Sequence, residues 1–193
     1  MTELEYLCAE LVSGDDARSE QAALRLPELG QAGLDALRPL LKTEIDDVRW
    51  WAIRALAGFA NVDEIIPDLI AALRDESDEV RQAAAMAFCH HPVPAAVSPL
   101  IRVLSDPDSL TAKLASNALI LIGIPATSAL LDMLKNGQSS AKLEAVRALA
   151  EIKDPNAIPG LMKALETDSA LMQYWASLGL EKLGVGMVYL KPE

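Results

Sequence analysis

Cysteine and histidine gather at one place in the chain, the stretch FCHHP at residues 88–92. Cys89, His90 and His91 are residue types that bind zinc, but a zinc site needs about four converging ligands. Two neighbours on a helix point about 100° apart, and the remainder of the chain adds no histidine and only one cysteine, Cys8. The sequence therefore predicts no metal site.

The acidic residues and the glycines form no catalytic pattern either. The sequence contains no glycine-rich phosphate loop, no His-Glu-x-x-His and no Gly-x-Ser-x-Gly. Many carboxylates stand at predicted helix starts, such as Asp46–Asp47 and Asp78–Glu79, where the helix dipole stabilises them. We predict no catalytic residues, and the pattern favours a binding protein over an enzyme.

Composition and charge restrict the class of protein and of partner. The 193 residues are 51% hydrophobic but only 4% aromatic, and the abundance of Ala and Leu favours packed helices. A net charge of −11 argues against nucleic acid and anionic membranes as partners. We see no basic leader, no bilayer-length apolar run and too few cysteines for a disulfide framework. The expectation is a soluble cytoplasmic protein.

Two patterns recur along the chain with the same period. The motif Leu-x-x-x-Leu begins at Leu7 and returns five times, in steps of 30 to 32 residues. The stretches VRWWAIRAL, VRQAAAMAF, TAKLASNAL, AKLEAVRAL and MQYWASLGL return in steps of 30 to 32 residues as well. A shared period predicts stacked two-helix repeats. We expect one all-α domain over 1–193, with repeats at about 3–30, 31–62, 63–93, 94–124, 125–154 and 155–185.

Capping residues and prolines indicate where these helices begin. Ser77, Asp108 and Ser169 stand where the N-caps of second helices belong. Pro67 and Pro159 suit an early turn of a first helix. The tail 186–193 is expected to cover the end of the last repeat.

The segments DDVRWWAIRALAGF, DEVRQAAAMAF and DPNAIPGLMKALETDS resemble HEAT-like repeats of the phycobilisome-lyase type, and the resemblance extends over nearly the whole chain. It implies a right-handed α-solenoid of about six helical hairpins. The Val-Arg pair typical of such repeats is intact at residues 48–49 and 80–81 only. An arginine ladder is therefore not expected beyond the third repeat.

The second helices carry two separate stripes. With Val48 as position zero, positions zero, four, seven, eight and eleven share one arc, which predicts the core stripe. Positions two, three, six and ten form another arc, and all three tryptophans lie on it. The resemblance implies that this second arc lines a concave groove. The predicted partner-binding residues on it are Trp50, Trp51, Arg54, Gln82, Met86, His90, Lys113, Leu114, Asn117, Leu143, Arg147, Tyr174, Trp175 and Leu178.

Two interpretations of the tryptophans remain open. Position three borders the core, so Trp51 and Trp175 could instead pack between adjacent repeats. Aromatic and Met side chains beside Arg are typical of interaction hot spots. They favour a non-enzymatic scaffold that binds a protein or peptide, either as a monomer or self-associating through the groove.

The alternative function comes from the resemblance, which also implies a bilin lyase or a pigment chaperone. A bound bilin would be lined by Trp50, Trp51, Tyr174, Trp175 and His90, with Arg54 facing a propionate. Apart from that bilin no cofactor is expected. The acidic side chains of Glu144 and Glu151 on the same arc argue against a glycosylase that binds DNA. The absence of any His-Glu dipeptide argues against a di-iron hydroxylase.

Overall fold

The computed structural model describes residues 1–185, and every regular element in that range is helical. Within that range six helical hairpins follow one another, over 3–25, 31–56, 62–90, 97–122, 127–152 and 158–182. The prediction made for the tail 186–193 lies outside the described residues. The helices are α1 (Glu3–Leu11), α2 (Asp16–Arg25), α3 (Gln31–Leu40), α4 (Asp46–Leu56), α5 (Val62–Ala72), α6 (Asp78–His90), α7 (Val97–Val103), α8 (Ser109–Ile122), α9 (Thr127–Asn136), α10 (Ser139–Ile152), α11 (Ile158–Ala164) and α12 (Ala170–Lys182).

Side-chain caps begin three of the second helices as predicted. Ser77 accepts a hydrogen bond from the amide of Val80, and Asp108 accepts one from the amide of Thr111. Ser169 caps α12 in the same way. Each cap satisfies an amide that has no partner inside its helix, so the local sequence alone determines where these helices start.

One of the two proline predictions is wrong. Pro159 is the second residue of α11, as expected, but Pro67 is the sixth residue of α5. This helix begins earlier because Asp63 and Glu64 stabilise its first turn through the helix dipole. Pro67 has no N–H to donate to the carbonyl group one turn earlier in the helix. Because Pro67 is exposed, water solvates that carbonyl group instead.

The chain forms two compact units, Met1–His91 and Pro92–Glu193, which we call the first and the second unit. In the first unit α4 packs against α2 and α6, and in the second unit α10 packs against α8 and α12. In the second repeat the predicted core stripe is confirmed at four of its five positions: Ala52, Ala55 and Leu56 are fully buried and Phe59 is 6% exposed, whereas Val48 is half-buried. Whether the chain is a single domain stays a prediction.

Small residues allow the second helices of the second unit to approach closely. Gly179 takes the position that alanine holds in the four preceding repeats. A Cβ atom on Gly179 would lie 2.8 Å from the Cα atom of Ala150. The contact between α10 and α12 thus needs glycine on one side.

Candidate functional site

The tryptophan doublet of the first unit is divided between surface and interior. Trp51 is only 6% exposed, whereas Trp50 is half-buried. Their rings meet edge to face, with centroids 4.7 Å apart. Trp51 therefore packs in the interior as the alternative interpretation has it, and it holds Trp50 in place at the surface.

Three of the predicted residues lie on α6 of the same unit. Met86 is 46% exposed and His90 is exposed, while Gln82 is half-buried. An exposed methionine presents a flexible, polarisable surface that adapts to different partners. This face offers apolar contact area without a concentration of charge.

The second unit carries the other predicted residues. Tyr174 is 59% exposed, and its ring meets that of Trp175 edge to face at 5.4 Å. Leu114 is only 8% exposed and therefore contributes to the interior rather than to a binding surface. The remaining positions comprise one exposed residue, Lys113, and five half-buried residues: Asn117, Leu143, Arg147, Trp175 and Leu178.

Cationic side chains on these faces are paired inside the protein. Arg54 donates to Glu20 on the neighbouring α2 at 2.9 Å. Arg147 donates to Glu144 and to Asn117, both at 2.9 Å, and its third bond goes to the carbonyl oxygen of Lys113. Lys182 of α12 likewise bonds Glu151 of α10 at 2.7 Å. The bond between Arg147 and Glu144 lies within α10, but the other bonds join adjacent second helices. The sequence does not indicate those bonds, because their partners lie about thirty residues apart.

Arg49 forms a largely buried ion pair between two successive repeats of the first unit. Its side chain is 7% exposed and donates two hydrogen bonds to the carboxylate of Asp75, at 2.7 and 2.8 Å. Burial alone would raise the pKa of Asp75, but the bonds from Arg49 and the Ser77 amide hold it below its ordinary value. The hydrogen bonds that Arg49 donates to Asp75 raise the pKa of Arg49, so the pair stays charged.

The first unit also contains a cleft of about 490 Å³ where three helices begin. Asp16 opens α2, Asp46 and Asp47 open α4, and the first turn of α6 lies opposite. We call it the indole cleft, and its lining consists of Asp16, Asp46, Asp47, Trp50, Trp51, Ser77 and Glu79. From the sequence, Asp46, Asp47 and Glu79 were expected to be ordinary helix-start residues, and Asp16 was not singled out. Only the tertiary structure brings the three helix starts together.

The second unit holds a larger cleft of about 620 Å³ with a different lining. Three lysines surround a floor of leucine and methionine, with two carboxylates among them. We call it the lysine cleft, and its principal residues are Leu131, Asp132, Leu134, Lys135, Lys142, Lys163, Glu166 and Met172.

The cysteines and histidines do not converge. The Nε2–H group of His91 donates to the carbonyl oxygen of Ala57 at 2.7 Å, while His90 faces outward. Burial raises the pKa of both Cys8 and Cys89, which leaves them less reactive than a free thiol. Among residues 1–185 no three His, Cys, Asp or Glu side chains come close enough to bind a metal ion. No helix in that range could span a bilayer.

Comparisons with known families and proteins agree with the predicted repeat type. The family model for HEAT repeats matches residues 66–141 and 127–187, and the model for the PBS lyase HEAT-like repeat matches residues 48–75. A phycobilisome maturation protein from Synechococcus elongatus is 37% identical over 92 residues. That match covers 48% of this chain and 44% of the relative, so the chain spans less than half of the relative's length.

Solved structures confirm the predicted α-solenoid class. The complex of CpcE and CpcF of phycocyanin lyase from Nostoc sp. PCC7120 contains a chain that is 25% identical, with a TM-score of 0.56. The alignment covers 95% of this chain and 78% of that one. A computationally designed armadillo repeat protein for modular peptide recognition is 24% identical, with a TM-score of 0.53 and coverage of 93% and 99%. The second likeness is one of fold alone.

Proposed function

This chain belongs to the HEAT-repeat family, and on that premise we propose that it is a non-enzymatic scaffold that binds a partner protein or peptide. The contact surfaces are the outward faces of the second helices, with Trp50, Met86 and Tyr174 as anchors. The observation that carries the proposal is the exposure of Met86 and Tyr174, at 46% and 59%, on faces whose arginines are already paired.

Apolar anchors fit this interpretation better than charged ones. Aromatic and methionine side chains are enriched in the cores of protein interfaces, where a few of them supply most of the binding energy. Arg54 and Arg147 would have to break their bonds to Glu20 and Glu144 before pairing with a partner. The similar phycocyanin lyase chain, which occurs in a two-protein complex, supports a protein partner.

The test is a quantitative affinity capture of the partner from an extract of the cells that naturally produce this protein, followed by titration with the purified partner. We expect Trp50→Ala and Tyr174→Ala each to weaken binding by about 2 kcal/mol, roughly thirtyfold. Leu165→Ala is the matched control. Leu165 is also an exposed apolar residue, but it lies at the end of α11, which is the first helix of its repeat, and not on a second helix. Binding that survives both aromatic substitutions in a folded protein contradicts the proposal.

A second candidate function is a bilin lyase or pigment chaperone. It is supported by the match of residues 48–75 to the PBS lyase HEAT-like repeat and by the phycobilisome maturation protein. The matched segment contains Trp50, Trp51 and Arg54, although a propionate would have to displace Glu20 from Arg54.

Absorbance and mass spectrometry after incubation with phycocyanobilin and with haem distinguish the two functions. A stoichiometric, red-shifted complex that quenches tryptophan fluorescence supports pigment binding. No binding at micromolar pigment supports the scaffold. Light scattering tests self-association, and the cytoplasmic location and the lack of nucleic-acid binding stay predictions.

A further inference from the structure

We propose that the indole cleft of the first unit binds an arginine side chain from an extended segment of the partner. This inference rests on the proposed scaffold function and names the chemistry of the segment that the scaffold recognises. It differs from the contacts made by Met86 and Tyr174, which are apolar and lie outside the indole cleft.

The lining of the indole cleft attracts a cation. Four carboxylates line it, and none of its lining residues is Lys, Arg or His. Within residues 1–185 neither Asp16 nor Asp47 pairs with a cationic side chain. The first unit as a whole carries 18 Asp and Glu against eight Lys and Arg. Such a field concentrates cations at the cleft before contact is made.

Carboxylates at helix starts do not by themselves indicate a ligand, because they stabilise the dipole of their own helix. Here the starts of α2, α4 and α6 contribute about half a positive charge each. Four full negative charges exceed that sum, so the cleft keeps an excess of negative potential. Two of the four are engaged within the protein, since Asp46 accepts the amide of Asp47 and Glu79 accepts the hydroxyl of Ser77 at 2.8 Å.

The tryptophans indicate which cation fits. Trp51 is only 6% exposed, and it lines the cleft. Its indole N–H meets no acceptor among the described residues. That group is not sealed from water and can only donate, so a peptide carbonyl of the ligand would replace a water molecule there. An indole ring also attracts cations more strongly than any other side chain.

Arginine matches this combination better than lysine does. Its planar guanidinium stacks on an indole and offers a fork of donors to a carboxylate, whereas an ammonium group is a more strongly hydrated point charge. A volume of about 490 Å³ lies within the range of about 300–1,000 Å³ for ligand sites and leaves room for peptide backbone as well.

The experiment uses the full chain and a fluorescein-labelled octapeptide of alternating glycine and arginine with blocked ends. Fluorescence anisotropy gives the affinity at low and at physiological salt, and tryptophan emission reports contact with the indoles. Peptides with lysine or with uncharged citrulline in place of arginine, and tetramethylammonium alone, are measured in parallel.

The double variant Asp16→Asn/Asp47→Asn tests the carboxylates. Its matched control is Glu28→Gln/Asp63→Asn, which removes two exposed charges from the same unit away from the cleft. Trp50→Leu tests the ring, and circular dichroism verifies that every variant is folded.

We expect saturable one-to-one binding of the arginine peptide. The cleft double variant and Trp50→Leu should each weaken this binding at least tenfold, and the matched control should weaken it less than twofold. The peptide with citrulline in place of arginine should not bind. The inference is overturned if the arginine peptide does not bind, if both double variants weaken binding equally, or if tetramethylammonium binds as tightly as the peptide. A captured partner that depends on Tyr174, together with no arginine-peptide binding, would leave the scaffold function intact and refute this inference alone.

Discussion

The first unit holds 18 Asp and Glu against eight Lys and Arg, whereas residues 92–193 hold ten against nine. Nearly all of the net charge of −11 therefore belongs to the first unit. The two clefts differ in the same direction. Four carboxylates and two indoles line the indole cleft, whereas three lysines, two carboxylates and apolar side chains line the lysine cleft.

The architecture of the two units differs much less. Each consists of three helical hairpins whose second helices contact one another through alanine and leucine, for example Ala52 in the first unit and Ala145 in the second, both fully buried. In a repeat protein each hairpin packs against its neighbours in the same way, so the core positions are constrained while the outward positions can change. One kind of repeat can thus present two surfaces that differ in charge.

The units also differ in how neighbouring repeats are joined. In the first unit Arg49 reaches the next repeat and binds Asp75. The equivalent positions of the second unit hold Ala112, Lys142 and Gln173. There the close contact of Gly179 with Ala150 joins the last two repeats.

Removing the carboxylate of the buried ion pair should have the largest effect. We expect Asp75→Asn to lower the free energy of unfolding by about 3 kcal/mol, because it leaves the charge of Arg49 buried without its partner. The measurement is urea unfolding followed by circular dichroism. Glu151→Gln, which breaks the more exposed pair with Lys182 in the second unit, should cost less than about 1 kcal/mol. Equal losses in the two variants would refute the contrast.

Adding one methyl group to the second unit should have the next largest effect. Helix propensity alone predicts that Gly179→Ala stabilises α12 by roughly 1 kcal/mol. We expect destabilisation by about 2 kcal/mol instead, because the new Cβ atom would overlap Ala150. The thermal midpoint decides the sign, with the exposed Ser177→Ala as control. A rise in the midpoint would show that α10 and α12 can separate without loss.

Acid should weaken the first unit through Asp75. The pKa of this carboxyl is below its ordinary value of 3.8, so the stabilisation it contributes is complete above that pH. It is lost as the pH falls through the lowered pKa. Unfolding measured between pH 2.5 and 6 should show this loss in the parent protein and a flatter profile in Asp75→Asn. Parallel profiles would exclude Asp75 as the titrating group.

Thiol labelling should show the smallest effect, a change in rate. Both cysteines of the chain, Cys8 and Cys89, lie in the first unit, and burial raises the pKa of each. A chromogenic disulfide reagent at pH 8 should therefore react more slowly with the native protein than with the protein in urea. Labelling then reports opening of the first unit alone, and Asp75→Asn should accelerate it. An unchanged labelling rate in that variant would show that access to the thiols does not depend on the ion pair.

Much of the fold could be predicted from the sequence because its causes are local. Residues within one or two turns determine the caps at Ser77, Asp108 and Ser169 and the core stripe of α4. The period of about thirty-one residues is the repetition of such local patterns along the chain. The arc that carries all three tryptophans is equally visible in the sequence. Its role in binding a partner stays a prediction.

Only the tertiary structure decided the contacts between repeats. Neither the period nor the helical wheel shows that Arg54 pairs with Glu20, that Trp51 is buried while Trp50 is not, or that Asp16, Asp47 and Glu79 line one cleft. The ion pair and the cleft join residues about thirty positions apart. All three features depend on the angle and depth at which one hairpin packs on the next. The sequence by itself determined the hairpins and their buried faces, and packing decided which of the remaining side chains could still meet a partner.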